Sequence, residues 1–569
     1  MRRFALKLKS LLKNSALGLT LAACAGAALA QSITSEPLRP VDPFDVSALD
    51  RSEGALPETL WRGSNAATAR AAIERAPAPS QSAAVNRLTA RALLSGGAPP
   101  DGAAGDQALA ALRMETAWNI GFAEDVAELG RRTPAIEEAP DLSRLKADAE
   151  LSLGQLEQAC QTANRLKDGR DEAYWLQLRA VCLTRANDSA ARLTEDLARA
   201  AGPDENFDTA MALAYGDEVE EVEPASPLLL AMALNSNTTI RLKLDELSPP
   251  VLTALTLGEG PEEIKPVLAR KAAGMGLISA GALAEIYRSV QPPETEGVAA
   301  DLMAAAMNAE GETREALMFR AAESLADPAM KADAVAEALD GARTAEDFML
   351  TARLYRPVMA NIERSGDHAM LFARAAAAGG DPELAELWRE RATTPPPPPP
   401  TSSLSAPLDA DGDGAPEPVS LTAPASQRAS FDPPSDTDLA RLNALIDLYP
   451  SARGELAVER RLDEGGANAG FEALMLSAMG GEPLSPDMRA AFLEADGGAV
   501  SGALVLTLAA AAEAGAKAET GLLAAALLGD SPAAASDADL YSAVSALRRA
   551  GLNDSAAEIA VAAVLARRR

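Results

Sequence analysis

A chain of 569 residues exceeds what one hydrophobic core can organise, since cores stop growing at roughly 250 to 300 residues, so several units or an elongated array are expected. Hydrophobic residues at 48% and charged residues at 24% are ordinary globular values, while aromatics at 4% and an abundance of Ala and Leu favour helix over sheet. The formal charge of -30 repels phosphate backbones and anionic head groups, which argues against nucleic-acid binding and suits a basic partner or simple solubility.

Residues 1–30 carry a basic region with Arg2, Arg3, Lys7, Lys9 and Lys13, an apolar stretch from Leu17 to Leu29, and Ala28-Leu29-Ala30 before Gln31. Basic flank, short apolar core and small residues at the cleavage position together predict a secretory signal peptide removed after Ala30. Leu21-Ala22-Ala23-Cys24 resembles the lipobox of bacterial lipoproteins, in which case Cys24 would be acylated and the protein tethered to a membrane. No later segment is long and apolar enough to span a bilayer: Glu513, Lys517 and Glu519 break Ala503–Leu528, which reads as two buried helices around a turn.

Residues 31–58, with Pro37, Pro40, Pro43 and Pro57 and little periodicity, read as an extended leader. A helical region follows over 59–223. It ends in the acidic run Asp217-Glu218-Val219-Glu220-Glu221-Val222-Glu223, a solvated connection that subdivides the helices, and a second helical region covers 224–392. The polyproline run Pro395–Pro400 and its Ser-, Ala- and Pro-rich surroundings cannot bury enough apolar surface to fold, so 393–437 is expected to be a disordered spacer. A C-terminal helical region occupies 438–569.

The helices pair. Ser536 and Asp539 form a helix start, Leu540, Val544 and Leu547 share a face, and Gly551 suits the left-handed end. Asn553 or Asp554 then opens a second helix with Ala556, Ile559, Ala560 and Ala563 inward. So short a link requires antiparallel neighbours. The same design recurs over Leu145–Leu166, turning at Gly154 with Ala159 inside, and over His368–Arg391, turning at Gly380 with Ala385 inside. Pro261–Val290, around Gly274-Met275-Gly276, is a further hairpin of different spacing.

In the Gly154 and Gly380 copies a Gly ends one helix and an Ala follows five positions later, where a small side chain lets the pair approach closely. These hairpins resemble tetratricopeptide and related α-solenoid repeats, with Gly380-Asp381-Pro382-Glu383-Leu384-Ala385 the nearest match. The fold class expected is thus all-α: antiparallel helical hairpins stacked as an irregular solenoid. Such a solenoid exposes a concave surface lined by one helix of each pair, suited to holding peptides or proteins.

No set of residues reads as catalytic. His368, the single histidine, stands at a helix start with no triad or zinc-site context around it and is expected to be a surface residue. Cys160 and Cys182 fall in neighbouring helices that stacking brings together, and an oxidising compartment predicts a disulfide between them. Asp409-Ala410-Asp411-Gly412-Asp413-Gly414 begins like a calcium loop, but position 12 is Ser420 and Pro416 and Pro418 replace the following helix, so a flexible acidic linker is expected there. Glu323-Ser324 matches a dipeptide of lytic transglycosylases, but Leu325-Ala326-Asp327-Pro328 follows and the Gly-rich motifs are missing.

The resulting expectation is an exported envelope scaffold, periplasmic or lipid-anchored at Cys24, that binds other envelope proteins or peptides without cofactor, metal or catalysis. Its spacer would let the C-terminal helices reach a second partner. The rival from another class is a peptidoglycan-active enzyme or its accessory subunit.

Overall fold

The computed structural model describes residues 41–292, 299–394, 433–450, 458–480 and 502–567, apart from 78, 245, 259, 364–365 and 467. The signal region with Cys24, the polyproline run and the Asp409–Asp413 segment lie outside the described residues. Among the described residues 26 α-helices and two two-residue strands are present, and no helix is long and apolar enough to cross a membrane.

The first helices are α1 (Ala66–Glu74), α2 (Ala83–Leu94), α3 (Gln107–Ile120) and α4 (Ala123–Arg132). Then come α5 (Pro140–Ser152), α6 (Leu156–Arg165), α7 (Ala173–Arg185), α8 (Ala191–Ala201), α9 (Glu205–Tyr215) and α10 (Pro227–Leu234). Successive pairs are antiparallel hairpins because the turns are short and chemically marked. Gly121 (φ 117°) and Gly154 (φ 73°) take left-handed conformations after α3 and α5, and Ala159 is fully buried where α6 crosses α5.

Around the acidic run, Glu221–Val222 (β1) pairs in parallel with Thr239–Ile240 (β2). The basic partners of this run lie in the chain itself: Arg241 holds Glu221 and Lys243 Nζ lies 2.9 Å from Glu223 Oε1. The subdivision expected at 223/224 is crossed by a hydrophobic core that joins Trp175, Phe207 and Met211 before it to Leu229 and Met232 after it.

The middle of the chain supplies α11 (Pro249–Leu257), α12 (Lys265–Gly274), α13 (Ala280–Ser289), α14 (Ala299–Asn308), α15 (Gly311–Ser324), α16 (Pro328–Asp340), α17 (Ala345–Ala360), α18 (Ala369–Ala378) and α19 (Pro382–Thr393). Phe319, Phe348, Phe372 and Trp388 are fully buried between them and belong to one continuous core. The Gly380 hairpin forms as expected: Gly380 has φ 87°, Asp381 caps α19 through Leu384 N at 2.9 Å, and Ala385 is fully buried.

The last helices are α20 (Asp436–Asp447), α21 (Val458–Glu464), α22 (Ala469–Gly480), α23 (Gly502–Ala514), α24 (Lys517–Leu528), α25 (Asp537–Arg549) and α26 (Asn553–Arg567). The Ser536 cap bonds Asp539 N at 3.1 Å, Gly551 has φ 77°, and Leu540, Val544, Leu547, Ile559 and Ala563 are fully buried. Of the two helices around residues 515–516, α24 is buried, but α23 exposes Leu506 at 73%.

Two expectations about the termini are corrected. The C-terminal helices do not stand apart on a spacer: α24 packs against α1 and α2, and α26 lies against α2, α17 and α18. Ala518 N donates to Leu60 O at 3.0 Å, Thr68 Oγ1 donates to Glu519 Oε2 at 3.0 Å, and Ser80 Oγ donates to Asp530 O at 2.7 Å. The physical reason lies in α26, which buries every residue from Ile559 to Leu565; a helix apolar on all sides needs neighbours on all sides. The described residues from Asp42 onward accordingly belong to one compact unit.

The described part of the expected leader also belongs to this body. Phe44 and Val46 are buried, and Gly97 N donates to Phe44 O at 2.8 Å. The strap crosses so closely that a Cβ on Gly96 would lie 2.5 Å from Asp45 O, a contact only glycine avoids. The segment is irregular because its backbone bonds go to this crossing and to Arg113, whose buried guanidinium donates to the carbonyls of Leu93, Ser95 and Val46.

Candidate binding cavity

Helical periodicity brings one stripe from each of several helices to a common space. Asp141, Arg144, Leu145, Asp148 and Leu151 recur along α5 at three- and four-residue intervals, and Ala108, Ala111, Leu112, Glu115 and Trp118 do the same along α3. Tyr174, Gln177 and Leu178 from α7, Phe207 from α9 and Leu228 from α10 complete the wall. Between them lies a cavity of about 870 Å³, a size that accommodates a side-chain cluster of a bound segment.

Its polar centre is Asp148, only 8% exposed. Tyr174 Oη donates to Asp148 Oδ1 at 2.8 Å, and Arg144 Nε lies 3.7 Å from Oδ2. The Arg144 guanidinium also stacks over the Tyr174 ring at 4.7 Å, which fixes the phenol beneath it. Burial pushes the Asp148 carboxyl up to about 6, against the opposing pull of the Tyr174 hydrogen bond and Arg144, and burial beside this carboxylate drives the Tyr174 phenol well above its ordinary value. The other arginine of the wall, Arg70, pairs with Asp106 at 3.4 Å. Glu115 and Asp141 are exposed at the wall and have no cationic partner among the described residues.

Cys160 on α6 and Cys182 on α7 lie at disulfide distance, their Cα atoms 5.7 Å apart. The pair ties α6 to the helix that carries Tyr174 and Gln177. It is the one sequence-selected pair that the fold brings together beside this cavity.

The other selected residues lie elsewhere. His368 stands at the start of α18, its Nε2 2.9 Å from Asp333 Oδ1. Glu323 is taken by Arg288 in an ion pair of 2.6 Å, and Ser324 Oγ donates to Arg320 O of its own helix. Neither residue of that dipeptide lines the cavity. The cavity residues themselves were not singled out from sequence. Their signal was the i, i+3, i+7 row Asp141, Arg144, Asp148, which places charge along one face of the helix.

Comparison with known protein families, curated proteins and solved structures finds no match to this chain.

Proposed function

We propose that this chain is an exported, non-catalytic helical scaffold that binds a segment of another envelope protein in the cavity between α3, α5, α7 and α9. The observation that carries this reading is the cavity wall: rows from successive helices contribute Leu112, Trp118, Leu178 and Phe207 beside a small number of placed polar groups. Rigid helices hold those side chains, the Cys160–Cys182 pair braces one of them, and a thiol pair at this distance suits an oxidising compartment. The export pattern of residues 1–30 points to the same location.

Site-specific photocrosslinking in living cells tests it. A crosslinker at Gln177, inside the cavity, should trap a defined segment of an envelope protein that mass spectrometry locates, and the same group at Gln161 on the outer helix α6 should not. Equal yields at both positions, or release of muropeptides from purified sacculi by the pure protein, would overturn the scaffold reading in favour of a peptidoglycan-active enzyme. Intact mass of the native protein separates cleavage after Ala30 from acylation at Cys24.

A further inference from the structure

The cavity wall combines several carboxylates with an apolar lining, and this combination specifies a ligand class. Both wall arginines are already engaged, Arg70 by Asp106 and Arg144 by Asp148 and the Tyr174 ring. Glu115 and Asp141 are left without counter-charge among the described residues. The Asp148 side chain, 12% exposed, receives a hydrogen bond on Oδ1 alone, while Oδ2 has only Arg144 at 3.7 Å, beyond hydrogen-bond distance. Oδ2, beside its ion pair with Arg144, keeps acceptor capacity that a ligand N–H could use.

We infer that the cavity takes a cationic, amphipathic peptide segment, with a Lys or Arg head group donating to Asp148 Oδ2 between the Glu115 and Asp141 carboxylates and with flanking apolar side chains against Leu112, Trp118 and Phe207. The inference rests on the scaffold reading and names the chemistry of its partner. A long basic side chain suits such a site because its stem lies along apolar surface while its head reaches the carboxylates. An anionic segment would meet these carboxylates while both arginines are already paired, so the discrimination between the two charge types is built into the wall.

Fluorescence anisotropy with the full oxidised chain tests this, using a short labelled peptide of alternating Leu and Lys and its Leu and Glu counterpart. The Lys peptide should bind, and the Glu peptide should not. Because a chain of formal charge -30 attracts any cation weakly, location is read from variants. Glu115→Gln with Asp141→Asn should weaken the Lys peptide about tenfold, the sum expected for two exposed charges at a built site. Glu459→Gln with Asp463→Asn on the distant helix α21, an equal change of net charge, should leave the affinity unchanged. Asp148→Asn should abolish the preference for Lys over Glu; the exposed pair serves as the test should that variant fold poorly. Equal loss from the cavity and distant pairs, or equal binding of the two peptides, would overturn the inference. Crosslinking at Gln177 that traps a neutral or acidic segment would overturn it while leaving the scaffold reading intact.

Discussion

Arg353 Nη2 on α17 lies 2.7 Å from Glu558 Oε1 on α26, and the same carboxylate oxygen is held by Arg87 on α2. Three helices from the start, middle and end of the described chain thus meet at one charge. The Arg353 and Glu558 side chains are 19% and 20% exposed, so the cluster is largely out of water. Glu558→Gln leaves two arginines facing each other without their counter-ion. The expected loss is about 2 to 3 kcal/mol, somewhat below the roughly 3 to 5 kcal/mol seen when a fully buried pair is broken. Chemical denaturation measures it, and a loss no larger than that of Glu312→Gln on the exposed start of α15 would show that the cluster does not hold the closure.

Stability should depend on pH through two groups of opposite sign. Burial opposes the charged form of Glu558, but Arg87 and Arg353 outweigh it and hold the carboxyl at about 2, below its ordinary 4.5. A lowered acid stabilises the fold above its unfolded value, so this contribution is full above pH 4.5 and drains away as pH falls toward 2. Asp125 runs the other way. Burial, with Glu124 and Glu53 adding to it, raises its carboxyl from 3.8 to about 7. A raised acid costs stability in its charged form, so the cost is absent below pH 3.8, grows as pH rises and is complete above about 7. Asp125→Asn should therefore raise stability at about pH 8 by about 1 to 3 kcal/mol and change little at about pH 4. Denaturation midpoints across that range decide it; an unchanged slope for the variant would exclude Asp125 as the source.

Local features of this fold were legible in the sequence and long-range ones were not. The Ser536 cap, the Gly551 turn, Ala159 and Ala385 at helix crossings and the approach of Cys160 to Cys182 all follow from residues close together along the chain. A helical period identifies which face turns inward, and a short link makes neighbours antiparallel. Neither rule says that residue 87 will meet residue 558, because closure of the body depends on the accumulated rotation of many hairpins. The apolar circumference of α26 was the available hint. The cavity was hidden for a related reason: periodicity separates buried from exposed positions but does not distinguish a stripe that faces a neighbour from one that faces a void.

Reduction should weaken the wall that carries Tyr174. Cys160 and Cys182 close a loop with a sequence separation of 22, and a bond across it removes loop freedom from the unfolded chain. Cys160→Ser with Cys182→Ser should cost about 2 to 4 kcal/mol and raise hydrogen exchange in α6 and α7 before it does so in α17 or α26. Exchange that rises uniformly, or a midpoint insensitive to reductant in the wild-type chain, would argue against a stabilising bond at this position.

Arg113 should decide whether residues 42–56 belong to the folded body. Its guanidinium is 2% exposed and lies over the Phe44 ring at 5.4 Å while donating to Ser95 O at 2.9 Å and Val46 O at 3.1 Å. Burial lowers its pKa to about 10, so it stays charged at neutral pH and its bonds are charge-assisted. Arg113→Met keeps much of the apolar volume and removes every donor, leaving several buried carbonyls without partners. The expected cost is about 2 to 4 kcal/mol, concentrated in the strap. Arg113→Lys should recover only part of it, since one ammonium cannot reach carbonyls set around a planar fork. Limited proteolysis gives the readout: early cleavage within 42–56 in Arg113→Met, with the hairpins from α5 onward still resistant, is the expected pattern, and a strap as resistant as that of the wild type would show that Phe44 and Gly97 hold it without the arginine.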